Sequence, residues 1–366
     1  MWIYNYKNWP SFTWDQDELV AELTQIRHQQ GKLLGQMGQL DFDAKSKASL
    51  QIASENVLKS SLIEGEQLPK DEVRSSVARR LGLNVGGLTA SSREVDGVVE
   101  VMLDATLNYN DRLTQDRLFG WHSSLFPSGR SGMYSIVTGK YRNNTQEDPM
   151  QVVSGPMGKK RVHFQAPDSS SLENEMRMFL MWFNGKSKID YVLKAAIAHF
   201  WFITLHPFED GNGRMARAIA DLLLAKSDDT TFRFYSMSAR IEKEKEEYYK
   251  QLEYAQKGNL DITEWLHWFL QCLLRSFEDS KLILDDVLFK ARFWNNRHLL
   301  GVNPRQQKML EKLLDDFQGK LTTSKWAKMT KTSQDTAGRD INDLIKRGVL
   351  KKDKSGGRST SYLLVR

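Results

Sequence analysis

HPFEDGNGRMAR, residues 206–217, joins an apolar helical run to a second helix and is the most informative stretch of this 366-residue chain. Gly211 and Gly213 permit backbone conformations that are closed to other residues, and they let main-chain N–H groups approach an anion. The free N–H groups at the start of the second helix extend this anion site. The stretch therefore predicts a phosphate-binding loop between two helices.

The charged side chains of the loop suit a polyphosphate better than a single phosphate. Arg214 and Arg217 are three residues apart and project from the same side of the first helical turn. Two guanidiniums beside an amide nest match several phosphate groups. Asp210 is the natural Mg²⁺ ligand, because magnesium takes one or two carboxylates together with phosphate oxygens. His206 has the pKa range of a general base toward a hydroxyl.

Each feature of the loop also has a structural explanation. A His-Pro pair often ends a helix, Asp-Gly-Asn-Gly often forms a turn, and arginines at a helix start are often solvated. Their combination favours function. Positive side chains at a helix N-terminus oppose the helix dipole, and such local conflicts are typical of functional sites.

The stretch resembles the HxFx(D/E)GNGRxxR signature of Fic-domain proteins and matches it at every defined position. The resemblance implies a mainly α fold, namely a Fic-type helical bundle with a β-hairpin flap. It also implies an adenylyltransferase, which moves AMP from ATP to a Ser, Thr or Tyr hydroxyl of a target protein and releases pyrophosphate.

The same resemblance implies a role for each polar residue of the loop. His206 deprotonates the incoming hydroxyl, and Asp210 holds Mg²⁺ on the α- and β-phosphates of ATP. Arg214 holds the β-phosphate region, and Arg217 grips the γ-phosphate. Gly213 favours AMP transfer, since the related Doc toxins carry a lysine there and bind the nucleotide reversed for phosphotransfer. The implied nucleotide-binding residues of the loop are Gly211, Asn212, Gly213, Arg214, Met215, Ala216 and Arg217.

A β-hairpin is predicted at about residues 139–167, where Gly, Pro and Asn surround two short strand-like runs. Fic proteins carry at this place a flap that pairs with an extended target segment by strand addition. Val152 and Val153 are the candidates for positioning the target, although a purely structural hairpin fits the sequence equally well. Tyr248 and Tyr249 lie where the family usually places an adenine-pocket aromatic residue, and helix packing is the alternative for both.

Residues 60–65, SSLIEG, resemble the (S/T)xxxE(G/N) element of autoinhibited Fic proteins, with Ser60, Glu64 and Gly65 at the defined positions. Glu64 is expected to pair with Arg217, whose guanidinium the γ-phosphate also needs. ATP would then bind with its γ-phosphate displaced, and a misplacement of about 1 Å can cost about a hundredfold in rate. A second family role for Glu64, orienting a water that removes AMP from the modified target, stays open.

The chain divides into three predicted parts. Residues 1–90 form an N-terminal helical region that carries the inhibitory element, residues 91–295 form the catalytic core, and residues 301–366 form a winged helix-turn-helix. The last part holds 15 Lys/Arg and 7 Asp/Glu, so that it is strongly basic while the first 300 residues have a net charge of −2. That asymmetry indicates a polyanion-binding end.

Winged helices commonly bind DNA, with the second helix in the major groove. A protein-docking or dimerisation module is the alternative. The rival to an enzyme is accordingly a DNA-binding transcription regulator whose core senses a nucleotide or a partner. The residues expected to start the recognition helix are Ser333, Gln334, Thr336 and Arg339, and those expected on the wing are Lys351, Lys352, Lys354 and Arg358.

Other classes are excluded by what the sequence lacks. Cys272 is the only cysteine, which rules out disulfide frameworks and zinc sites built on several cysteines. No GxxxxGK(S/T) or HExxH motif occurs. The N-terminus has no signal-peptide pattern, and the longest uncharged apolar stretch, 195–205, is too short to span a bilayer. We therefore expect a cytoplasmic protein without a membrane partner. A homodimer is a further expectation, because Fic proteins often regulate release of the glutamate through self-association.

Overall fold

The computed structural model describes residues 1–83, 88–145, 147–155, 159–295, 301–315, 317, 319–353 and 360–365. These residues form two compact units, Met1–Leu284 and Asp285–Arg366. The first unit includes both the predicted N-terminal helical region and most of the predicted core. Its helices are α1 (Gln16–Gly38), α2 (Phe42–Ile63), α3 (Lys70–Arg80), α4 (Arg93–Leu107), α5 (Gln115–Leu125), α6 (Leu172–Asn184), α7 (Tyr191–Leu205), α8 (Asn212–Asp228), α9 (Met237–Lys243), α10 (Lys245–Lys257) and α11 (Thr263–Asn295), of which α11 continues into the second unit.

Helices α7 and α8 form the centre of the first unit and pack along each other. Helix α7 is apolar on nearly every side and is buried from Val192 to Leu205, as expected of a helix enclosed by other helices. Asp190 caps its start by accepting a hydrogen bond from the Val192 N–H at 2.8 Å. The loop that follows α7, residues 206–211, is thus fixed at both ends by the core.

Helix α2 packs against α3, α4, α8 and α9. Asp41 caps its start through the Ala44 N–H at 2.8 Å. Its end turns sharply at Gly65, whose φ of +85° lies in the left-handed region that favours glycine. The packing of α2 on α8 brings residues 60–66 beside the loop that precedes α8.

In the described part of the first unit, two small hairpins accompany the helices. Strands β3 (Gln151–Ser154) and β4 (Arg161–Gln165) are antiparallel, and their register shifts by a bulge between Val152 and Val153. This hairpin confirms the predicted strand pair. Strands β1 (Arg130–Ser131) and β2 (Tyr134–Ser135) form a second, very short hairpin that the sequence did not predict.

The second unit has the order of a winged helix-turn-helix. Helices α12 (Pro304–Asp315), α13 (Thr323–Thr330) and α14 (Gln334–Lys346) pack with a three-stranded antiparallel sheet in the order β5, β7, β6. The strands are β5 (Leu321–Thr322), β6 (Leu350–Lys352) and β7 (Ser361–Leu364). Trp326, Ile341 and Leu344 lie at the centre of its core. The predicted architecture of this end is confirmed, with β5 as an additional strand.

One run of helical periodicity is divided. Residues 239–257 have the periodicity of a single helix, but α9 ends and α10 begins at Glu244, whose backbone is non-helical at φ −114° and ψ 27°. The Glu244 carboxylate accepts two hydrogen bonds from Arg275, each 2.7 Å long, and this long-range contact is invisible to a periodicity argument. Within the ranges given above, no helix combines the length and apolar character needed to cross a bilayer.

Candidate active site

His206 ends α7 in a left-handed conformation, with φ 48° and ψ 56°. Its Nδ1 lies 3.3 Å from the carbonyl oxygen of Ile203. A carbonyl can only accept, so this hydrogen bond requires the proton on Nδ1 and leaves the lone pair on Nε2. Burial lowers the pKa of His206 to about 4, against the opposing effect of the Ile203 carbonyl. At neutral pH the imidazole is therefore in its neutral form, and its Nε2 is able to accept a proton.

Arg142 holds the backbone around His206 in place. Its Nε donates to the His206 carbonyl oxygen at 2.7 Å, and its Nη2 donates to the Pro167 carbonyl oxygen at 2.6 Å. Its own N–H donates to the Pro207 carbonyl oxygen at 2.9 Å. Burial lowers the pKa of Arg142 to about 10, which leaves it charged at neutral pH. One guanidinium thus joins the catalytic loop to the base of the β3–β4 hairpin.

Asn212 shapes the loop from within. Its side-chain oxygen accepts from the Phe208 N–H at 3.0 Å, and its side-chain amide donates to the Phe208 carbonyl oxygen at 2.8 Å. Gly211 has a φ of 78°, and an added Cβ there would lie 2.9 Å from the ring of Phe126. Helix α8 starts after Gly211 without a side-chain cap. Its first-turn N–H groups therefore have no side-chain cap, and their binding of an anion stays a prediction.

Asp210 lies at the front of the loop, half-buried, with its carboxylate turned toward Ser131, whose hydroxyl donates to Oδ2. His122 supports the same turn: its Nε2 donates to the Asp210 carbonyl oxygen at 3.2 Å, and its Nδ1 accepts from the Gly139 N–H at 3.0 Å. The His122 ring stacks on Phe208 at 4.3 Å. Burial lowers the pKa of His122 to about 4, which keeps it neutral in this role.

The end of α2 binds Arg217 through a carboxylate, a hydroxyl and a carbonyl oxygen. Its Nη2 lies 2.8 Å from Glu64 Oε1, its Nε donates to Ser60 Oγ at 2.9 Å, and Nη2 also donates to the Ser60 carbonyl oxygen at 2.8 Å. The Arg217 side chain is 2% exposed and that of Glu64 30%. Burial opposes the charge of Arg217, but Glu64 together with Tyr248 and Tyr249 outweighs it and raises the pKa of Arg217 above its usual range. Ser60, Glu64 and Arg217 are thus brought together.

The Glu64 carboxylate also lies directly against Gly213. A Cβ added at Gly213 would overlap Glu64 Oε1, and it would lie 3.0 Å from Glu64 Cδ and 3.2 Å from Arg217 Nη1. The space that the sequence assigned to phosphates beside Gly213 therefore holds the Glu64 carboxylate.

Arg214 lies in the first turn of α8 with its guanidinium carbon 5.0 Å from the centre of the Phe126 ring. Its Nη1 lies 2.6 Å from Glu66 Oε2. Met215 and Ala216, which complete the predicted nucleotide-binding stretch, are fully buried and direct their side chains into the core. Any contact that these two residues make with a ligand would come from the backbone.

The two tyrosines differ from each other. Tyr248 is 1% exposed, and its hydroxyl lies 2.9 Å from Nε2 of the buried His199, so that the packing explanation fits it and it has no open face for a base. Tyr249 is 40% exposed, and its hydroxyl donates to the Ile63 carbonyl oxygen at 3.3 Å. An adenine contact stays a prediction for Tyr249.

Val152 and Val153 are exposed on β3, at 37% and 41%, on either side of the bulge. Their role toward a target stays a prediction. Sequence reasoning missed Arg142, His122 and Glu66. The loop motif points to none of them, because Arg142 and His122 act on its backbone from elsewhere in the chain and Glu66 lies just beyond the inhibitory pattern.

Comparison with known proteins finds family matches in three separate parts of the chain. Residues 112–224 match the model of the Fic/DOC family. Residues 2–83 match DUF4172, a domain of unknown function, and residues 305–361 match a DeoR-like helix-turn-helix domain.

Curated relatives and solved structures agree with these matches. The chain is 26% identical over 221 residues, 59% of its length, to the protein adenylyltransferase Fic of Aedes aegypti, and 35% identical over 88 residues, 24% of its length, to protein adenylyltransferase fic-1 of Caenorhabditis elegans. It spans only 39% and 16% of the lengths of these relatives. A Fic family protein from Desulfovibrio desulfuricans G20 has a similar fold, with a TM-score of 0.56 at 20% identity, over 97% of this chain and 98% of that one.

Proposed function

The chain carries a Fic domain of the Fic/DOC family, and we propose that it is a protein adenylyltransferase, which moves AMP from ATP to a Ser, Thr or Tyr hydroxyl of a target protein. The observation that carries this proposal is His206, with a neutral imidazole and an unprotonated Nε2, at the entrance of an uncapped helix start. The names of the relatives support the same activity.

In this reaction the hydroxyl oxygen of the target attacks the α-phosphorus of ATP. His206 Nε2 takes the proton of the hydroxyl, the bond from the α-phosphorus to its bridging oxygen breaks, and pyrophosphate leaves with that oxygen. The N–H groups at the start of α8 and the two arginines stabilise the negative charge of the phosphates. Arg142 keeps the backbone of His206 oriented for this proton transfer.

Asp210 fits a magnesium site by the chemistry of its donors. It offers a half-buried carboxylate beside the predicted phosphate site, and Mg²⁺ in nucleotide sites commonly uses one or two carboxylates plus phosphate oxygens. Within the described ranges, no cluster of three or more His, Cys, Asp or Glu side chains could hold a metal on its own. We propose that Asp210 holds Mg²⁺ only together with ATP, where the ion offsets phosphate charge.

Autoinhibition by Glu64 is part of the proposal. The Glu64 carboxylate pairs with the Arg217 guanidinium and fills the space beside Gly213. A γ-phosphate entering this space would therefore find Arg217 already paired and would be repelled by the negative charge of Glu64. An Arg–carboxylate pair at a side chain that is 2% exposed is strong enough to compete with a phosphate. Transfer then requires the end of α2 to release Arg217. Removal of AMP through a water held by Glu64 is a second role that the same carboxylate can serve.

Mass spectrometry after incubation with ATP and Mg²⁺ in a lysate tests the activity. We expect an AMP adduct of about 329 Da on a target or on the chain itself, and Glu64→Gly should raise its yield by roughly a hundredfold if the displaced γ-phosphate is what limits the rate. His206→Ala should abolish the adduct in either background. An adduct that persists without His206, or a yield that Glu64→Gly leaves unchanged, would contradict the respective part of the proposal.

DNA binding by the second unit is the second candidate function. The side chains of Ser333, Gln334 and Arg339 are exposed at the start of α14, while Ala337 and Ile341 face the core. Lys351 and Lys352 are exposed on β6. The other predicted wing residues, Lys354 and Arg358, lie outside the described residues. The exposed face supports recognition of a DNA duplex, in line with the match to a DeoR-like domain.

Binding of the full chain to duplex DNA tests this candidate. The affinity should fall steeply with salt concentration, because each phosphate contact releases a counterion. The double change Lys351→Gln and Lys352→Gln should weaken binding to all sequences and reduce the salt slope by about two. Salt-independent binding, or none, would favour a protein-docking role.

A further inference from the structure

The two arginines at the start of α8 are each covered by a different acid from the turn that ends α2. Arg217 pairs with Glu64 at 2.8 Å, and Arg214 pairs with Glu66 at 2.6 Å. The arginine side chains are 2% and 3% exposed, whereas the two acids are 30% and 44% exposed. The arginines are thus fixed and enclosed, and the acids lie on their solvent side, where a ligand would approach.

The backbone at the end of α2 sets the spacing of the two acids. The Gly65 N–H donates to the Leu62 carbonyl oxygen, and the Glu66 N–H donates to the Ser61 carbonyl oxygen, both at 3.0 Å. With the positive φ of Gly65, this is the hydrogen-bond pattern of a Schellman helix end. Glu64 and Glu66 are therefore held on the two sides of one rigid turn and are presented together.

Arg214 has little else to compensate its charge in the part of the chain that the structure describes. Its guanidinium lies over the Phe126 ring, and its Nε is buried without a hydrogen-bond partner. Glu66 itself is crowded by like charge: burial raises its pKa, and Asp210 and Glu64 raise it further against the attraction of Arg214. An anion that displaced Glu66 would thus gain the Arg214 guanidinium.

We infer that Glu66 is a specificity-determining residue of the nucleotide site, because it occupies the guanidinium that a β-phosphate needs, as Glu64 occupies the one that a γ-phosphate needs. The inference rests on the proposed adenylyltransferase function, which places the phosphates in this order along α8. The closed site then admits a nucleoside monophosphate, discriminates against a diphosphate through Glu66, and discriminates against a triphosphate through both acids.

Isothermal titration of the full chain with AMP, ADP and ATP in the presence of Mg²⁺ tests the inference. All variants carry His206→Ala, so that transfer does not consume ATP. Glu66→Gln keeps the shape of the side chain and removes its charge, and Glu66→Ala removes the contact. Asp71→Asn, an exposed acid at the start of α3, is the matched control for the loss of one negative charge.

The variants should change the affinities for AMP, ADP and ATP to different extents. Glu66→Gln should strengthen binding of ADP and ATP by roughly tenfold, the range of one hydrogen bond to a charged group, and should leave AMP unchanged. Glu64→Gln should strengthen binding of ATP alone. Glu66→Ala should act like Glu66→Gln, and Asp71→Asn should change none of the three affinities beyond twofold.

Two outcomes would overturn the inference in different ways. If Glu64→Gln strengthens ATP binding while both Glu66 variants leave the ADP-to-AMP ratio unchanged, the nucleotide site stands and Glu66 is only a structural partner of Arg214. If no nucleotide binds even when both acids are replaced, the proposed function fails, and the inference fails with it.

Discussion

The Nε of Arg142 donates to the carbonyl oxygen of His206 at 2.7 Å, and so a residue 64 positions earlier in the chain fixes the backbone of the catalytic histidine. His206 has a left-handed backbone, which is costly for a residue with a side chain. The guanidinium stabilises this conformation by donating to the carbonyl oxygens of His206 and of Pro167, which lies at the base of the β3–β4 hairpin.

Arg142→Lys should therefore lower the rate of AMP transfer by roughly 10- to 100-fold in the Glu64→Gly background, because a small displacement of a catalytic group costs that much. A lysine keeps the charge but lacks the planar fork, whose separate nitrogen atoms reach the His206 and Pro167 carbonyl oxygens. Single-turnover kinetics measures the effect, and Lys140→Ala, an exposed neighbour, is the control. An unchanged rate in Arg142→Lys would show that the turn keeps its shape without the guanidinium.

Two adjacent serines give a matched test of the grip on Arg217. Both are fully buried in α2, but the Ser60 hydroxyl accepts from Arg217 Nε at 2.9 Å, while the Ser61 hydroxyl has no hydrogen-bond partner among the described residues. Ser60→Ala should weaken the hold of α2 on Arg217 by about 1.5–3 kcal/mol, the range for a hydrogen bond to a charged group. Transfer by the otherwise native chain should then rise at least several-fold.

Ser61→Ala should leave the transfer rate within about twofold and slightly raise the melting temperature, because a buried, unpaired hydroxyl is removed. Initial rates of adduct formation and thermal unfolding of both variants provide the measurement. Equal activation by the two substitutions would mean that general loosening of α2, rather than the Arg217 contact, controls activity.

Much of this arrangement follows from local sequence. The helical bundle, the β3–β4 hairpin and the winged helix-turn-helix follow from periodicity and from Gly, Pro and Asn punctuation, and the approach of Glu64 to Arg217 was expected from two motifs. The break at Glu244 and the pinning of His206 by Arg142 were not. Both depend on contacts between residues more than 30 positions apart, which leave no local pattern. For Tyr248 the position in the chain suggested a ligand contact, whereas its side chain is buried in the core. A position in a motif therefore does not by itself show whether a side chain is accessible to a ligand.

Acid should destabilise the first unit through histidines that are buried in the neutral form. Burial lowers the pKa of His122 to about 4 and that of His199 to about 3. Above pH 6.5 neither folded nor unfolded chain binds a proton at these sites, so they contribute no pH dependence. Between pH 6.5 and 5 it is mainly the unfolded chain that gains protons. At pH 5 each of these histidines therefore lowers the free energy of unfolding by about 2 kcal/mol.

His199→Gln removes one of these titrations while keeping a polar side chain near the Tyr248 hydroxyl. Denaturant unfolding at pH 7 and pH 5 should show a smaller loss of stability in this variant than in the native chain, by about 2 kcal/mol. Parallel losses in the two proteins would mean that His199 does not resist protonation in the folded state.

The rate of AMP transfer should begin to fall only at a pH that is unusually low for a histidine base. Burial lowers the pKa of His206 to about 4 from an ordinary value near 6.5, and the Arg142 charge acts in the same direction. In the Glu64→Gly variant, kcat at saturating ATP and Mg²⁺ should thus stay nearly constant from pH 8 to pH 5, since the base remains unprotonated there. A base with an ordinary pKa near 6.5 would lose about fivefold in rate between pH 6.5 and 5.5, and about tenfold for each further pH unit. The assays must be shorter than the time of acid unfolding, and activity must return when the pH is restored to 7.5. These two conditions distinguish protonation of His206 from unfolding of the chain. A decline of about fivefold or more between pH 6.5 and 5.5 under these conditions would show that water reaches the imidazole in the working enzyme.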